Sequence, residues 1–540
     1  MDVKILFKEH AQKAMFEGIE ELTEAVASTL GPKGHTVIID KGYGIPHITK
    51  DGVTVARAYD TNDPMKRMGA VLVKTVAAKT CDEAGDGTTT ATILTHALIK
   101  EGMNARIGVK SPQKFKQGME AARDEAVEII KALSSEIGEN DFDRIQQIAT
   151  ISANGDEEVG ALITEAIGKV GNDGVITVEE SGNKSECEIE VTTGFQWNKG
   201  LVNPYFVTDA ERIECVLDRP YVLVFGQKIN YPNEILAIVQ GVYNNQRSVL
   251  IVAPDASHDV LKFLVQNVKQ QNGLKACFVK APGYGQIQKD LIEDFSVKMG
   301  AVTVAEEYGN PVEKLGVDWL GECERVIVSS NQTVVIGGAG KEESIASRVE
   351  SIKNCLKEES NSYDIEKFRE RISKLTGGAA VVYVGADSEV ELKERKDRVD
   401  DAIAATRAAI EEGYVTGGGT IQLRLSQLLF EKANKELKEE NPDFITGFKV
   451  VAEALMYPFR RLCEHADVSP IKTELEITAA QSTFNEGFNP NTGEIENMLS
   501  AGIIDPAKVA RVSLENSVSV AIQFLNTTCA ISANDEPQNK

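Results

Sequence analysis

Gly85-Asp86-Gly87-Thr88-Thr89-Thr90, G-D-G-T-T-T, is the stretch on which the reading of this 540-residue chain turns. If a helix starts here, its first backbone N–H groups have no intrahelical partner, and two glycines with three small hydroxyl residues leave room for a polyphosphate to rest on them. Asp86, between the glycines, is placed to hold the Mg²⁺ that accompanies such phosphates. Downstream, Ala91, Ile93, Leu94, Ala97 and Leu98 recur at helical spacing, so the phosphate-facing end would be anchored by a buried stripe. Taken alone, the same six residues also read as an ordinary turn and N-cap. What favours a nucleotide site is their company elsewhere.

Upstream, Met15, Ile19, Leu22, Val26 and Leu30 step by three or four and predict an amphipathic helix over 10–30. T-L-G-P-K-G (Thr29 to Gly34) stops it, because Gly suits the position after a helix and Pro cannot continue one. A hairpin is expected over His35 to Asp40 and Ile45 to Thr49, running into the Gly-bearing turn Thr49-Lys50-Asp51-Gly52. Downstream, Ser111 and Pro112 read as the cap and first residue of a helix to Leu133. An acidic connection over 134–143 reads as a boundary, after which I-S-A-N-G-D (Ile151 to Asp156) caps a helix to about Val170 and 174–178 alternates as a strand.

From about Gly194 to Gly378 strand and helix patterns alternate. Tyr221 to Phe225, Ser248 to Ala253 and Ala276 to Lys280 are the strands, with helices Asn233 to Tyr243 and Ser257 to Val268 between them, which argues a compact α/β module with parallel pairing. Gly337-Gly338-Ala339-Gly340-Lys341 resembles a phosphate loop but lacks the upstream Gly and the hydroxyl after Lys, and Gly283-Tyr284-Gly285 lacks the third Gly of a dinucleotide turn; both read as turns. The charged stretch 342–375 reads as a solvated helical pair. A helix opening near Asp400 and Asp401 runs to Gly413 and is followed by Gly417-Gly418-Gly419, a triple glycine that suggests close approach of the backbone to a ligand or another helix. Ile504-Asp505-Pro506 reads as the start of a final helix with Asp505 as its cap. The polar tail from Ala533 to Lys540 reads as disordered.

Composition narrows the function. The balance of 58 basic against 82 acidic residues gives a net charge of -24, which opposes binding to nucleic acid or an anionic membrane. Eight cysteines without a C-x-x-C pair read as reduced structural thiols of a cytoplasmic protein, and the histidine spacing suggests no zinc site. The N-terminus reads as neither signal nor transit peptide, and no apolar run reaches the ~18 residues of a membrane span.

Six motifs in register, T-L-G-P-K-G, I-T-K-D-G-V-T-V-A (Ile48 to Ala56), A-G-D-G-T-T-T-A-T (Ala84 to Thr92), T-I-S-A-N (Thr150 to Asn154), A-T-R-A-A-I-E-E-G (Ala405 to Gly413) with G-G-G behind it, and I-I-D-P (Ile503 to Pro506), resemble the group I, GroEL-like chaperonins over almost the entire chain. The resemblance implies a multidomain α and α/β fold. A mainly helical equatorial ATPase domain (1–134 and 412–540), a small α/β intermediate hinge domain (135–192 and 379–411) and an α/β apical domain (193–378) would assemble into heptameric rings, single or double, around a cavity. By matching motif, Thr29, Leu30, Gly31 and Pro32 with Asp86, Gly87, Thr88, Thr89 and Thr90 would cradle the ATP phosphates, and Asp86 would bind Mg²⁺. Backbone oxygens of Thr29 and Lys50 would take K⁺. Gly418, Asn489, Pro490, Asn491 and Asp505 would surround ribose and adenine, while Asp401 would orient the attacking water with Asp51 nearby. The polypeptide-binding face falls on Leu201, Tyr205, Phe206, Leu236, Val239, Leu261, Val265 and Gln266, which would hold unfolded clients as a homo-oligomer with a GroES-like lid as a possible partner. Leu264 and Val268, on the same helical stripe, are expected in the domain core.

The chain also departs from the family. Leu201 replaces a tyrosine, Gln266 stands where an apolar residue is usual, Ser469 replaces a ring-contact glutamate, and the Gly-Met tail is absent, so neither a double ring nor dependence on the lid follows. Such divergence would suit a virus-encoded copy. A stand-alone phosphotransferase would need a second, small-molecule pocket motif, and none is visible. A scaffold without hydrolysis is opposed by Asp86 and Asp401.

Overall fold

The computed structural model describes residues 3–40, 46–138, 141–171, 174–181, 187–210, 212–269, 273–358, 367–368, 371–372, 374–386, 388–479 and 484–533. These fall into two compact units: Met1–Glu165 with Glu180–Cys187 and Val384–Lys540, and Ala166–Glu179 with Glu188–Tyr383. The segments 135–192 and 379–411 are thus divided between the two.

The first unit is helical because its apolar residues recur on one face of each segment. Lys8–Ala27 buries Met15, Ile19, Leu22 and Val26 against Pro64–Ala84. Where these helices cross, a Cβ on Gly18 would enter the carbonyl of Lys66 and one on Gly69 the carbonyl of Met15. The same reciprocal device joins Pro112–Leu133 to Pro442–Ala454, with Gly118 under Phe444 and Gly447 under Phe115. Thr88–Ala105 and the closing helix Ala507–Asn526 fill the centre with Leu94, Leu98, Leu514, Val518 and Phe524. Strands Val3–Phe7 and Cys529–Ala533 pair antiparallel, Ile5 opposite Ile531, so the two ends of the chain meet in this unit. Periodicity alone could not have shown that pairing.

Several local expectations hold. Ser111 accepts from the Lys114 N–H at 3.4 Å and caps Pro112–Leu133. The hairpin forms as Val37–Ile39 against His47–Thr49; its expected residue Ile45 lies outside the described residues. The connection 134–143 ends in an unforeseen helix, Phe142–Ser152, whose Asp141 cap accepts from Arg144 N–H at 3.3 Å. Residues 534–540 of the polar tail also lie outside the described residues.

The second unit is built on a sheet whose strands Tyr221–Val224, Val249–Ala253 and Ala276–Lys280 run parallel, with Asn233–Asn244 and His258–Val268 in the crossovers. Every residue of Val249–Ala253 is buried, as a strand covered on both faces requires. Antiparallel strands Gly321–Val328, Thr333–Gly338, Glu188–Trp197 and Gly378–Val384 extend the sheet. The glycine run 337–341 is a packing device here. Gly340 donates its N–H to the Lys298 carbonyl at 3.0 Å, and a Cβ at Gly338 or Gly340 would collide with that residue's backbone. Lys298 itself is buried, its ammonium donating to the carbonyls of Lys374 (2.7 Å) and Gly377 (3.0 Å) while burial pushes its pKa down to about 8.

The crossing glycines yield a test. Gly69→Ala should cost about 1–3 kcal/mol, since a methyl forced onto a carbonyl separates the helices. Gly241→Ala, on a helix position facing open space, should instead gain about 0.5–1 kcal/mol. Denaturant midpoints of the two variants check this, and equal destabilisation would count against the close-packing argument.

Candidate functional site

One cavity in the first unit gathers the motifs. Helix Pro64–Ala84 ends at Gly85 with φ 72°, and Gly87, φ 84°, stands immediately before Thr88–Ala105. Both values lie in the left-handed region that a side chain disfavours. Space excludes a side chain as well: a Cβ at Gly85 would meet Ala404, and one at Gly87 would lie 2.8 Å from Ser513 Oγ. Asp86 is therefore pinned between two turns, its Oδ1 accepting the Gly87 N–H and its Oδ2 facing Ser152 Oγ at 3.5 Å. No side chain caps Thr88–Ala105, so its opening N–H groups stay turned toward the cavity.

Asp51 begins a second helix, Gly52–Ala58, and caps it with both oxygens, accepting from Val53 N–H at 3.0 Å and Thr54 N–H at 2.8 Å. A Cβ on Gly52 would overlap Thr89 Oγ1, so the two helix starts converge. The Thr29–Gly34 turn is held by the Gly34 N–H to Gly31 carbonyl bond (2.9 Å) and by Thr29 Oγ1 donating to the Val26 carbonyl (2.9 Å). On a further side, Gly418 (φ 63°) and Gly419 (φ 73°) lead into Thr420–Lys435. The triple glycine brings the backbone close to another helix, since a Cβ on Gly419 would lie 3.0 Å from Phe459 Cα, and a Cβ on Gly417 would lie 2.8 Å from Asp505 Oδ1.

Asp505 corrects the expectation of a helix cap. It lies in strand Ile504–Pro506, opposite Val415, and Pro506 precedes the helix Ala507–Asn526, which no side chain caps. Pairing with Tyr414–Thr416 holds the backbone extended through Pro506, so the carboxylate is left for the cavity. Asn489, at the end of Glu486–Asn489, accepts from the Asn491 N–H at 2.9 Å and shapes the loop carrying Pro490.

The cavity, about 290 Å³, is lined by Thr29, Leu30, Gly31, Pro32, Lys50, Asp51, Asp86, Gly87, Thr88, Thr89, Thr90, Asp401, Gly418, Asn489, Pro490, Asn491 and Asp505. Every nucleotide-site position expected from the sequence is thus in one place, although those residues span more than 470 positions of chain. The lining also includes residues not singled out as site positions. Ser152 ends the helix Phe142–Ser152, and Asn154 (φ 57°) and Gly155 (φ 86°) follow it in left-handed conformations. Gln422, Pro458 and Leu462 carried no motif signal.

The electrostatics are one-sided. Burial raises Asp401 well above the ordinary carboxylate range, and the charges of Asp51 and Asp86 raise it further. Asp505 is pushed up to about 7, by burial first and then by Asp86. Asp86 is raised by burial and Asp51, against the lowering effect of the Gly87 N–H and Ser152 hydroxyl. Carboxylates in such a setting favour a cation. Among the described residues, no three His, Cys, Asp or Glu side chains converge tightly enough to hold a metal alone. A Mg²⁺ bound through one carboxylate plus a ligand's phosphate oxygens and water fits this donor set.

The expected polypeptide-binding positions scatter in burial. Tyr205 is 55% exposed and Gln266 is exposed, while Leu201, Leu236, Leu261 and Val265 are half-buried. Phe206 and Val239, at 1% and 4%, are core residues packed in the sheet-and-helix cluster, and this corrects their placement on an open face. Phe206 points inward from the short turn Pro204–Phe206, and Val239 shares the buried side of its helix with Ile235, Ile238 and Val242. Leu264 is fully buried, as expected; Val268 is half-buried and packs against the same core. Among the described residues no helix is long and apolar enough to cross a membrane.

The sequence profile of the TCP-1/cpn60 chaperonin family matches residues 22–535. Two crystal forms of the chaperonin gp146 from bacteriophage EL 2 (Pseudomonas aeruginosa), crystallised in the presence of ATP-BeFx, share the fold. Form II aligns with a TM-score of 0.71 at 23% identity, covering 98% of this chain and 99% of the other. Form I aligns with a TM-score of 0.64 at the same identity and coverage.

Asp505 supplies a pH test with a definite sign. Its raised pKa means that the folded protein keeps a proton that the unfolded chain releases, so its contribution to stability is full below about pH 4 and is lost as pH rises through about 7. Asp505→Asn should therefore lose less thermal stability than the parent between about pH 5 and pH 8. Parallel melting curves for the two proteins across that range would refute the assignment.

Proposed function

The chain belongs to the TCP-1/cpn60 chaperonin family, and from that premise we propose that it is an ATP-dependent, ring-forming chaperone that captures unfolded polypeptides and promotes their folding in a central cavity. The observation that carries this reading is the cavity in which two helix starts meet half-buried carboxylates that raise one another's pKa.

In this reading the triphosphate lies on the opening N–H groups of Thr88–Ala105 and on the Thr29–Pro32 turn, where peptide dipoles favour an anion. Asp86 is the residue that would hold Mg²⁺, which when bound neutralises charge on the phosphate oxygens. Backbone oxygens of Thr29 and Lys50 would take K⁺. Gly418, Asn489, Pro490, Asn491 and Asp505 surround the nucleoside. Asp401, raised by burial among like charges, is a stronger base than an ordinary carboxylate, and it orients the attacking water and receives its proton. Asp51 is already committed to capping its helix, so its part is to add negative charge beside Asp401.

The partition into equatorial (1–134, 412–540), hinge (135–192, 379–411) and apical (193–378) domains, seven subunits per ring in one ring or two, a GroES-like lid and a cytoplasmic setting complete the proposal. Clients would be met by Tyr205, Leu236, Leu261 and Val265, with Phe206 and Val239 supporting them from beneath. Apolar burial at ~25 cal/mol per Å² is non-directional, which suits a surface that must accept many sequences.

Asp401→Ala should bind ATP with little change while phosphate release slows by about 10²-fold or more, as loss of a positioned base does. Unchanged turnover would remove Asp401 from the chemistry. Native mass measurement with a denatured client should find the client on a seven-subunit particle without nucleotide and off that surface after ATP. A monomer that holds no client in either condition sinks the cage reading.

A further inference from the structure

Gln422 lines the cavity, is 7% exposed, and its side-chain carbonyl oxygen has no hydrogen-bond partner among the described residues. A buried amide left unpaired is costly, by an amount comparable to a lost hydrogen bond. Its position invites an ordinary explanation, because Gln three residues after a helix N-cap commonly reaches back to the N-cap N–H. That bond is not made: Gly419 has a left-handed backbone and no side-chain cap accompanies it.

The surroundings say what Gln422 faces. A Cβ on Gly419 would lie 3.0 Å from Phe459 Cα, which brings the start of Gln422's helix against Tyr457–His465. That helix contributes Pro458 and Leu462 to the cavity wall, and Leu462 in turn abuts Gly31. Pro458 and Leu462 bring apolar surface to this wall, whereas Asp86, Asp51 and Asp401 bring the acidic groups. An amide oxygen without a partner beside the apolar Pro458 and Leu462 suits a planar heterocycle bearing a donor and an acceptor side by side.

Resting on the reading of this cavity as a nucleotide site, we propose that Gln422 is a specificity-determining residue that pairs with the amino-bearing edge of adenine. A primary amide offers one acceptor and two donors, so its oxygen takes the exocyclic N–H while its nitrogen donates to the adjacent ring nitrogen. The Gln422 oxygen without a partner in the protein would gain one from the base.

The test uses the full-length protein with Mg²⁺ and three ligands: ATP, GTP and the triphosphate of a purine riboside lacking the 6-amino group. The parent should bind ATP roughly ten-fold or more tighter than the 6-unsubstituted analogue, and Gln422→Leu should bring that ratio to about one. The same variant should melt no lower than the parent without nucleotide, because the carbonyl oxygen it removes has no partner to lose. Gln422→Met repeats the measurement should the leucine variant fold poorly. If the parent discriminates and the variants discriminate equally, or if all three ligands weaken by the same factor, Gln422 does not read the base. If the parent binds none of the three, the nucleotide reading of the cavity fails first, and this inference with it.

Discussion

Mutual repulsion among half-buried carboxylates is the constraint on which the cavity of the first unit is organised. Asp86, Asp401 and Asp505 each sit above the ordinary carboxylate range because burial and neighbouring negative charge act together, while the Gly87 N–H and the Ser152 hydroxyl pull Asp86 back in part. Such an arrangement costs stability in the folded chain by itself. It becomes favourable once a cation accompanied by an anion enters, with the cation facing the carboxylates and the anion facing the start of Thr88–Ala105. The site is therefore one whose electrostatic cost a bound cation would relieve.

The helices that carry the cavity are packed closely through glycine. Gly18 with Gly69, and Gly118 with Gly447, let helix backbones touch where any side chain would hold them apart. Gly85 and Gly87 serve two ends at once, turning the chain through left-handed conformations and admitting Ala404 and Ser513 to within contact.

Much of this was legible in the letters. G-D-G-T-T-T, the Thr29–Gly34 turn and the Ser111-Pro112 cap are local devices whose geometry depends on a few adjacent residues, and each forms as expected. Parallel pairing in the second unit was legible for the same reason, since continuous apolar runs such as Val249–Ala253 describe a strand covered on both sides. Phe206 and Val239 were not legible, because an apolar residue in a short turn or on a helix stripe does not show whether core or solvent meets it. Asp505 before Pro506 carries the letters of a helix cap, and only pairing with the distant Tyr414–Thr416 makes it a strand residue.

By itself the sequence determined the turns, the caps, the helix and strand types and the family register of the site residues, because those rest on backbone sterics and hydrogen bonds between near neighbours. The tertiary structure alone decided which ends of the chain meet, that the expected nucleotide residues share one cavity, which apolar residues are lost to the core, and that Gln422 faces that cavity with its oxygen unpaired. Burial and electrostatic coupling are sums over residues far apart in the chain, and no local pattern carries that sum.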